Sequence, residues 1–347
     1  MNVIYARMTG YDWVSTPSDA VARELEKLGH DITIVENISY IPPKKYDFVW
    51  SPYESVIILG DAISKKLNIP HYAHIEWFPP WRIFKDCDVT QYGLDKNDPE
   101  LQQIDMTISY YEKVGKAFLD ASIKSISGEC LIPYHERFLK TEIDSISIRH
   151  SSIDIDTIEK AKKMFSPKKI PNRVISISRL VPNKRWDLMV KVMNEVRTNI
   201  EWCVIGDGPV VDYIKKEANN QNVTLNFLGA LWGWNKFYEL MKATIFLGSW
   251  TGMPPIEAAI LGVLPLIIEP EITNEIKGRP LKEHFSDSIF MSNNINEIAD
   301  KIIKHIESDG SQKEVKDIKN DFLENKMGVT TSEINAKNLI KNMENYL

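Results

Sequence analysis

Between residues 174 and 268, short apolar segments alternate with segments of helical spacing. This alternation restricts the fold more than any other feature of the chain. Residues 174–178, 202–205, 223–228, 244–247 and 264–268 are predicted strands, and 184–196, 209–218 and 235–241 are predicted helices. A further helix opens at Pro254 and Pro255 and ends near Gly262. Strands separated by helices cannot pair as hairpins, so they lie parallel with the helices as crossovers. The expected result is an open, doubly wound sheet that binds ligands at the carboxyl ends of its strands.

The first half follows the same pattern less regularly. Residues 3–6 form a strand, and 19–28 form a helix with Val21, Leu25 and Leu28 on one face. Gly29 terminates that helix and 32–35 is the next strand, which completes a βαβ unit. Apolar segments continue at 48–50 and 56–59, and 69–74 reads as a strand at a sheet edge. Residues 75–82 form a loop rich in aromatics and proline, and 86–100 a polar loop. Residues 104–109 are a strand candidate and 110–119 a helix. Ser166-Pro-Lys-Lys-Ile-Pro-Asn172 is the clearest linker. The expected domains are 1–165 and 166–330, with 331–347 a C-terminal helix free to pack back on the first domain.

The 347 residues favour two domains. A net charge of -6 speaks against a nucleic-acid partner, although a local basic patch leaves peripheral membrane contact open. Cys87, Cys130 and Cys203 are scattered and show no paired spacing, which fits a reducing compartment without disulfides or a zinc site. No apolar run is long enough to span a bilayer, and the N-terminus enters a strand without a signal-peptide layout. The chain reads as cytoplasmic.

Two loops at strand ends carry the chemistry. The first is Ser249-Trp-Thr-Gly252-Met253-Pro254-Pro255-Ile-Glu257. Proline costs nothing in a first helical turn, where its missing N–H would have no partner. A glycine loop entering a helix N-terminus exposes backbone N–H groups to an anion, so Gly252 and Met253 are candidate phosphate contacts, with Pro254 beside them at the start of the helix. Glu257 is expected in the first turn, where a carboxylate can accept hydrogen bonds from two neighbouring ribose hydroxyls. The alternative is that Glu257 only complements the helix dipole and Gly252 only turns the chain.

The second loop is Ser178-Arg179-Leu-Val-Pro-Asn-Lys184-Arg185. Lys184 is expected where a helix begins, against the preference set by the dipole. Such conflicts are tolerated at functional sites, and a guanidinium fork with an ammonium suits a diphosphate. The alternative is two solvated cations. Gly206-Asp-Gly-Pro209 is a tight turn on the same sheet edge, either ordinary turn chemistry or part of the same site.

Together the Arg179–Lys184 loop, Val204-Ile-Gly206-Asp-Gly-Pro209, Phe227-Leu-Gly229 and Gly252-Met-Pro-Pro-Ile-Glu257-Ala-Ala resemble the C-terminal domain of glycosyltransferase family 4. Their order and spacing match from 174 to 265. Ser152-Ile-Asp154 resembles the family's Gly-Val-Asp step, and Leu28-Gly-His-Asp-Ile32 its Gly-His-Glu-Val. Ile69-Pro-His-Tyr-Ala-His74 resembles the strand that carries its interdomain histidine.

The resemblance implies an α/β GT-B fold, two Rossmann-like domains facing across a cleft. It implies a retaining transfer from a nucleotide-diphosphate-sugar donor to a carbohydrate, lipid-linked or protein acceptor, with no metal or other cofactor. Arg179 and Lys184 would stabilise the departing diphosphate, and Glu257 would hold the ribose. The amides after Gly252 would meet the distal phosphate, and His74 would lie near the transferred sugar. For His74 the alternative is a structural histidine at a strand end.

The chain departs from the family in places. Ser249 stands where the first of two glutamates, eight positions apart, contacts the donor sugar, and Trp250 and Thr251 replace a glycine and an aromatic. The glycine pair near the donor is reduced to Thr9-Gly10. An unusual donor or a lost activity is therefore open. The rival readings are a catalytically silent nucleotide- or sugar-binding partner and a nucleotide-sugar epimerase. Trp77, Phe78, Trp81, Trp232, Trp234 and Trp250 either meet sugar or lipid or pack their own loops. Lys162, Lys163, Lys168 and Lys169 read as a solvated linker face.

Overall fold

The computed structural model describes residues 1–8, 16–75, 90, 93, 108–127, 132–148, 152–249, 253–268, 289–308, 312–323 and 330–347. The chain divides into two units. The first comprises 1–83, 105–154 and 330–347, and the second 84–104 and 155–329.

The first unit is built on a parallel sheet of six strands: β1 (Asn2–Ala6), β2 (Asp31–Val35), β3 (Phe48–Ser51), β4 (His71–Ile75), β5 (Ile123–Ser127) and β6 (Ile146–Ile148), in the order β2-β1-β3-β4-β5-β6. The crossovers include α1 (Pro17–Lys27), α2 (Glu54–Leu67) and α3 (Ile108–Asp120), and α4 (Ile132–Leu139) follows β5. Thr16 and Asp19 form a capping box at the start of α1, and its end is closed at Gly29, whose φ of 86° suits glycine.

One apolar segment of this unit gains its assignment here, and two expectations need correction. The apolar segment at 56–59 lies within α2, because Val56 and Ile57 are buried on one face of a helix rather than along a strand. β4 is flanked on both sides, by β3 and β5, and is not an edge strand. Ile108 and Ser109 open α3, and the rest of that strand candidate lies outside the described residues.

The C-terminal helix, here α12 (Ser332–Tyr346), belongs to the first unit. Its Leu339, Ile340 and Met343 join Val3, Tyr5, Val21, Leu25, Phe48 and Trp50 in one core, with Tyr5 stacked on Trp50 at 5.0 Å. Burying a side chain of this size contributes about 1.5–3 kcal/mol. The short strands β7 (Ser152–Ile153) and β14 (Thr330–Thr331) pair in parallel beside it, and the Ser332 hydroxyl donates to the Ile153 carbonyl at 3.1 Å. Asp154 accepts from Arg23 on α1.

In the second unit, α5 (Ile155–Met164) precedes a parallel sheet of β8 (Arg173–Ile177), β9 (Ile200–Ile205), β10 (Val223–Gly229), β11 (Ile245–Gly248), β12 (Leu264–Ile268) and β13 (Phe290–Ser292), in the order β10-β9-β8-β11-β12-β13. The helices α6 (Trp186–Glu195), α7 (Val211–Glu217), α8 (Gly233–Lys242) and α9 (Met253–Ile260) connect successive strands. Two more, α10 (Ile295–Glu307) and α11 (Gln312–Leu323), follow β13. The strand order reverses between β8 and β11, and in sheets of this type ligands bind at that point, outside the carboxyl ends.

Ion pairs brace the other end of the sheet. Arg173, at the start of β8, donates to Glu201 at 2.8 and 3.0 Å and to Glu239 of α8 at 3.1 Å. Lys169 is not a solvated linker residue. It is half-buried and its ammonium donates to the Gly262 carbonyl, which satisfies the end of α9. Cys203 is buried between these charges, and burial pushes its thiol pKa up to about 12.

Two stability predictions follow from close contacts. A Cβ at Gly206, where φ is 149°, would sit 1.9 Å from the Ser178 carbonyl oxygen, whereas one at Gly229, φ 70°, would meet nothing within 4 Å. Gly206→Ala is expected to cost about 3 kcal/mol or more in chemical denaturation, and Gly229→Ala about 1 kcal/mol. Equal losses would contradict the steric account.

The second concerns His71, buried at 2% exposure with Nε2 on the Ser51 hydroxyl at 2.8 Å. Burial lowers its pKa from 6.5 to about 3. The folded state therefore refuses a proton that the unfolded chain accepts. The contribution of His71 is complete above pH 6.5 and is lost as pH falls through that value toward 3. His71→Asn should flatten the fall of Tm with acidification in that window. An unchanged slope would put the acid sensitivity elsewhere.

Candidate functional site

The site begins with two loops that leave neighbouring strands of the second sheet. After β8 the chain runs through Ser178, Arg179 and Leu180, and after β9 through the Gly206–Pro209 turn. The two backbones touch. Leu180 N–H donates to the Asp207 carbonyl at 2.8 Å, and Val210 N–H donates to the Leu180 carbonyl at 3.1 Å. A Cβ on Gly208, φ 145°, would come 2.5 Å from the same Leu180 carbonyl oxygen. The glycines of the turn make room for the chain's own backbone, so the open side of Gly206 is filled by Ser178.

This clamp fixes where the β8 loop goes. Pro182–Lys184 form one turn of 3-10 helix, Arg185 adopts a left-handed conformation at φ 49°, and α6 starts only at Trp186. Lys184 therefore lies two residues ahead of the α-helix, at the end of the 3-10 turn and not at the first residue of the helix. Trp186 is fully buried, and its indole N–H donates to the Arg179 carbonyl at 3.0 Å. Arg179 is half-buried.

A cavity of about 110 Å³ opens at the reversal of strand order. That is space for about four waters, or for one phosphate-sized group. Its lining includes Ser178 and Lys184 from the β8 loop, Ser249 from the end of β11, and Pro254 and Pro255 from the first turn of α9. Ser249 is 4% exposed, and its hydroxyl donates to the Lys184 carbonyl. The residue that departs from the family pattern thus ties the β11 loop to the β8 loop.

Glu257 is 6% exposed and does not fall in the first turn of α9, which holds no acidic residue. Its carboxylate meets Lys236 of α8, with both oxygens accepting from Nζ at 2.9 and 2.8 Å. Lys236 is the residue that sequence reasoning missed. A lysine on an amphipathic helix has no signal of its own, and the pairing crosses from one helix to another.

His74 lies in the first unit at the carboxyl end of β4, 1% exposed. Its Nδ1 lies 2.8 Å from the Ser125 hydroxyl and its Nε2 3.1 Å from that of Ser127, both on β5. The structure therefore brings Lys184, Ser249 and Pro254 to one cavity, with Met253 beside them in α9, Arg179 on the same loop as Lys184, and Glu257 one turn on. Gly10, Gly252, Trp250, Trp77, Phe78 and Trp81 lie outside the described residues. No helix among the described residues is long and apolar enough to cross a membrane.

Residues 157–321 match the family model of glycosyl transferases group 1. Solved structures resemble the whole chain at low identity. An alpha-glucosyltransferase in complex with UDP and a 13-mer DNA aligns at a TM-score of 0.63 and 11% identity, over 99% of each chain. HepE of Anabaena, in complex with UDP and glucose, aligns at 0.60 and 11% identity over 100% of each chain. S. aureus TarM, with UDP among its ligands, aligns at 0.54 and 15% identity over 95% of this chain and 58% of its own. No curated protein sequence matches the chain. At these identities the structural likeness speaks for the fold, and the family match falls on the unit that holds the cavity. The chain has the GT-B fold, and residues 157–321 of its second unit match the glycosyl transferases group 1 model.

Proposed function

We propose that the protein transfers a sugar from a nucleoside-diphosphate-sugar donor to a carbohydrate, lipid-linked or protein acceptor. The transfer keeps the anomeric configuration and uses no metal ion. The observation that carries this reading is the meeting of Lys184 with the first turn of α9 in one phosphate-sized cavity where the strand order reverses. Solved structures of the same fold hold UDP or UDP-glucose, which makes a uridine donor the first to test.

In this reading the diphosphate lies over the cavity. Breaking the bond from sugar to diphosphate leaves negative charge on the departing oxygen. Lys184 and Arg179 stabilise that charge, helped by the positive end of α9. Lys184 is preorganised for this because its backbone is held by the hydroxyl of Ser249 and by the 3-10 turn. Glu257, a turn further along α9, accepts hydrogen bonds from the ribose hydroxyls. His74 is assigned a place beside the transferred sugar, its ring oriented by Ser125 and Ser127. The site works in the cytoplasm.

The reading is tested with the intact chain. UDP, GDP or ADP at a hundred times its Kd should stabilise the fold by about 2.7 kcal/mol, visible as a rise in Tm. If none of the three raises Tm, the donor assignment fails. Lys184→Ala should lower kcat of transfer or donor hydrolysis by about a hundredfold or more with the fold intact. Glu257→Ala should act mainly on the KM for donor. Full activity in EDTA and retained configuration in the product are expected, and loss of either overturns that part of the mechanism.

A further inference from the structure

The Lys236–Glu257 pair does more than neutralise a buried charge. Lys236 carries three N–H donors, and two go to the carboxylate oxygens of Glu257 at 2.9 and 2.8 Å. Its Nζ also sits 4.6 Å from the centre of the Phe237 ring, which holds the ammonium from another side without using a hydrogen bond. Among the described residues Lys236 has no other hydrogen-bond partner, and there its third N–H is uncommitted. The side chain of Lys236 is 19% exposed and that of Glu257 8%, so the pair reaches solvent mainly on the lysine side. Each carboxylate oxygen has a second lone pair left. The pair thus presents one free donor next to free acceptor sites.

That combination matches a pair of adjacent hydroxyls, each of which both donates and accepts. The position on α8 is also fixed. Glu239, three residues on, is pinned to Arg173 and to Lys242, so the helix face bearing Lys236 cannot rotate away.

We propose that Lys236 is a second ribose-binding residue: it donates to one hydroxyl of the cis-diol whose protons go to Glu257, and so makes the site select ribonucleoside over 2′-deoxyribonucleoside diphosphates. This rests on the donor reading of Glu257 given above. It adds a residue from a different helix and a specificity that a carboxylate alone would enforce less well. A 2′-deoxy ligand leaves the spare N–H of a largely buried lysine without a partner, and unpaired donors of that kind are where discrimination arises.

The experiment measures binding of UDP, GDP and ADP and of their 2′-deoxy forms to the intact chain and to Lys236→Met and Lys236→Arg. Methionine keeps the length of the stem, and Tm checks the fold of each variant. For whichever base binds, the wild type is expected to prefer the ribonucleotide by about tenfold or more. Lys236→Met should lose most of that preference, with ribonucleotide affinity falling about tenfold. The 2′-deoxy affinity should fall less, and Lys236→Arg should retain most of the selectivity. A wild-type ratio near one overturns the proposal whatever the variants do. So does a Lys236→Met protein that binds both forms more weakly by the same factor, because the pair would then be purely structural. If the wild type binds none of the three ribonucleotides, the donor reading itself has failed, and this proposal falls with it.

Discussion

The carboxyl edge of the second sheet depends on how closely two backbones can approach. The turn at Gly206 and Gly208 lies against Ser178–Leu180 at distances no side chain would allow. Two hydrogen bonds lock the contact, one from Leu180 and one from Val210. The loop after β8 therefore cannot spread over the sheet. It is turned toward β11, where one 3-10 turn and a left-handed Arg185 bring Lys184 to the cavity. The glycines shape the cavity through the loop they let in, without lining it themselves.

Charge is placed with the same economy. The second unit buries Arg173 and Glu257, each beside a partner of opposite sign. A buried charge without a partner is strongly destabilising, while a paired one is close to neutral for stability. The Arg173 network sits at the amino end of β8 and braces α8. Glu257 and Lys236 lie on α9 and α8, and the pair reaches solvent mainly on the lysine side. α8 joins the two groups, since Glu239 and Lys236 share one of its faces.

Much of this was legible in the sequence. The alternation of strands and helices from 174 onward gave the second sheet, because short strands buried on both faces and amphipathic crossovers have distinct periods. In the first unit the apolar segment at 56–59 had no assignment from sequence. Four apolar residues in a row fit a buried strand or the inner side of a helix, and only the continuation to Leu67 decides. Lys184 was found because it stood against a local preference, although the helix starts only at Trp186. Lys169 was misjudged and Lys236 missed for the same reason. A lysine's partner is chosen by tertiary contact, here with Gly262 and with Glu257, and nothing in the neighbouring residues encodes it.

Ser249 carries the sharpest difference from the pattern that the loops resemble. A glutamate here would place a second carboxylate at a position 4% exposed, facing the Lys184 carbonyl. A carboxylate next to a carbonyl oxygen has nothing to accept from, so it would have to turn outward to a ligand. Serine can face inward, because its hydroxyl donates. The substitution exchanges a group that needs a ligand for one that completes the protein. Serine lends rigidity to the backbone at Lys184, and in the proposed function that rigidity serves the diphosphate while the choice of sugar passes to other side chains. A change at one position can thus leave the leaving-group chemistry in place and alter which donor the site accepts.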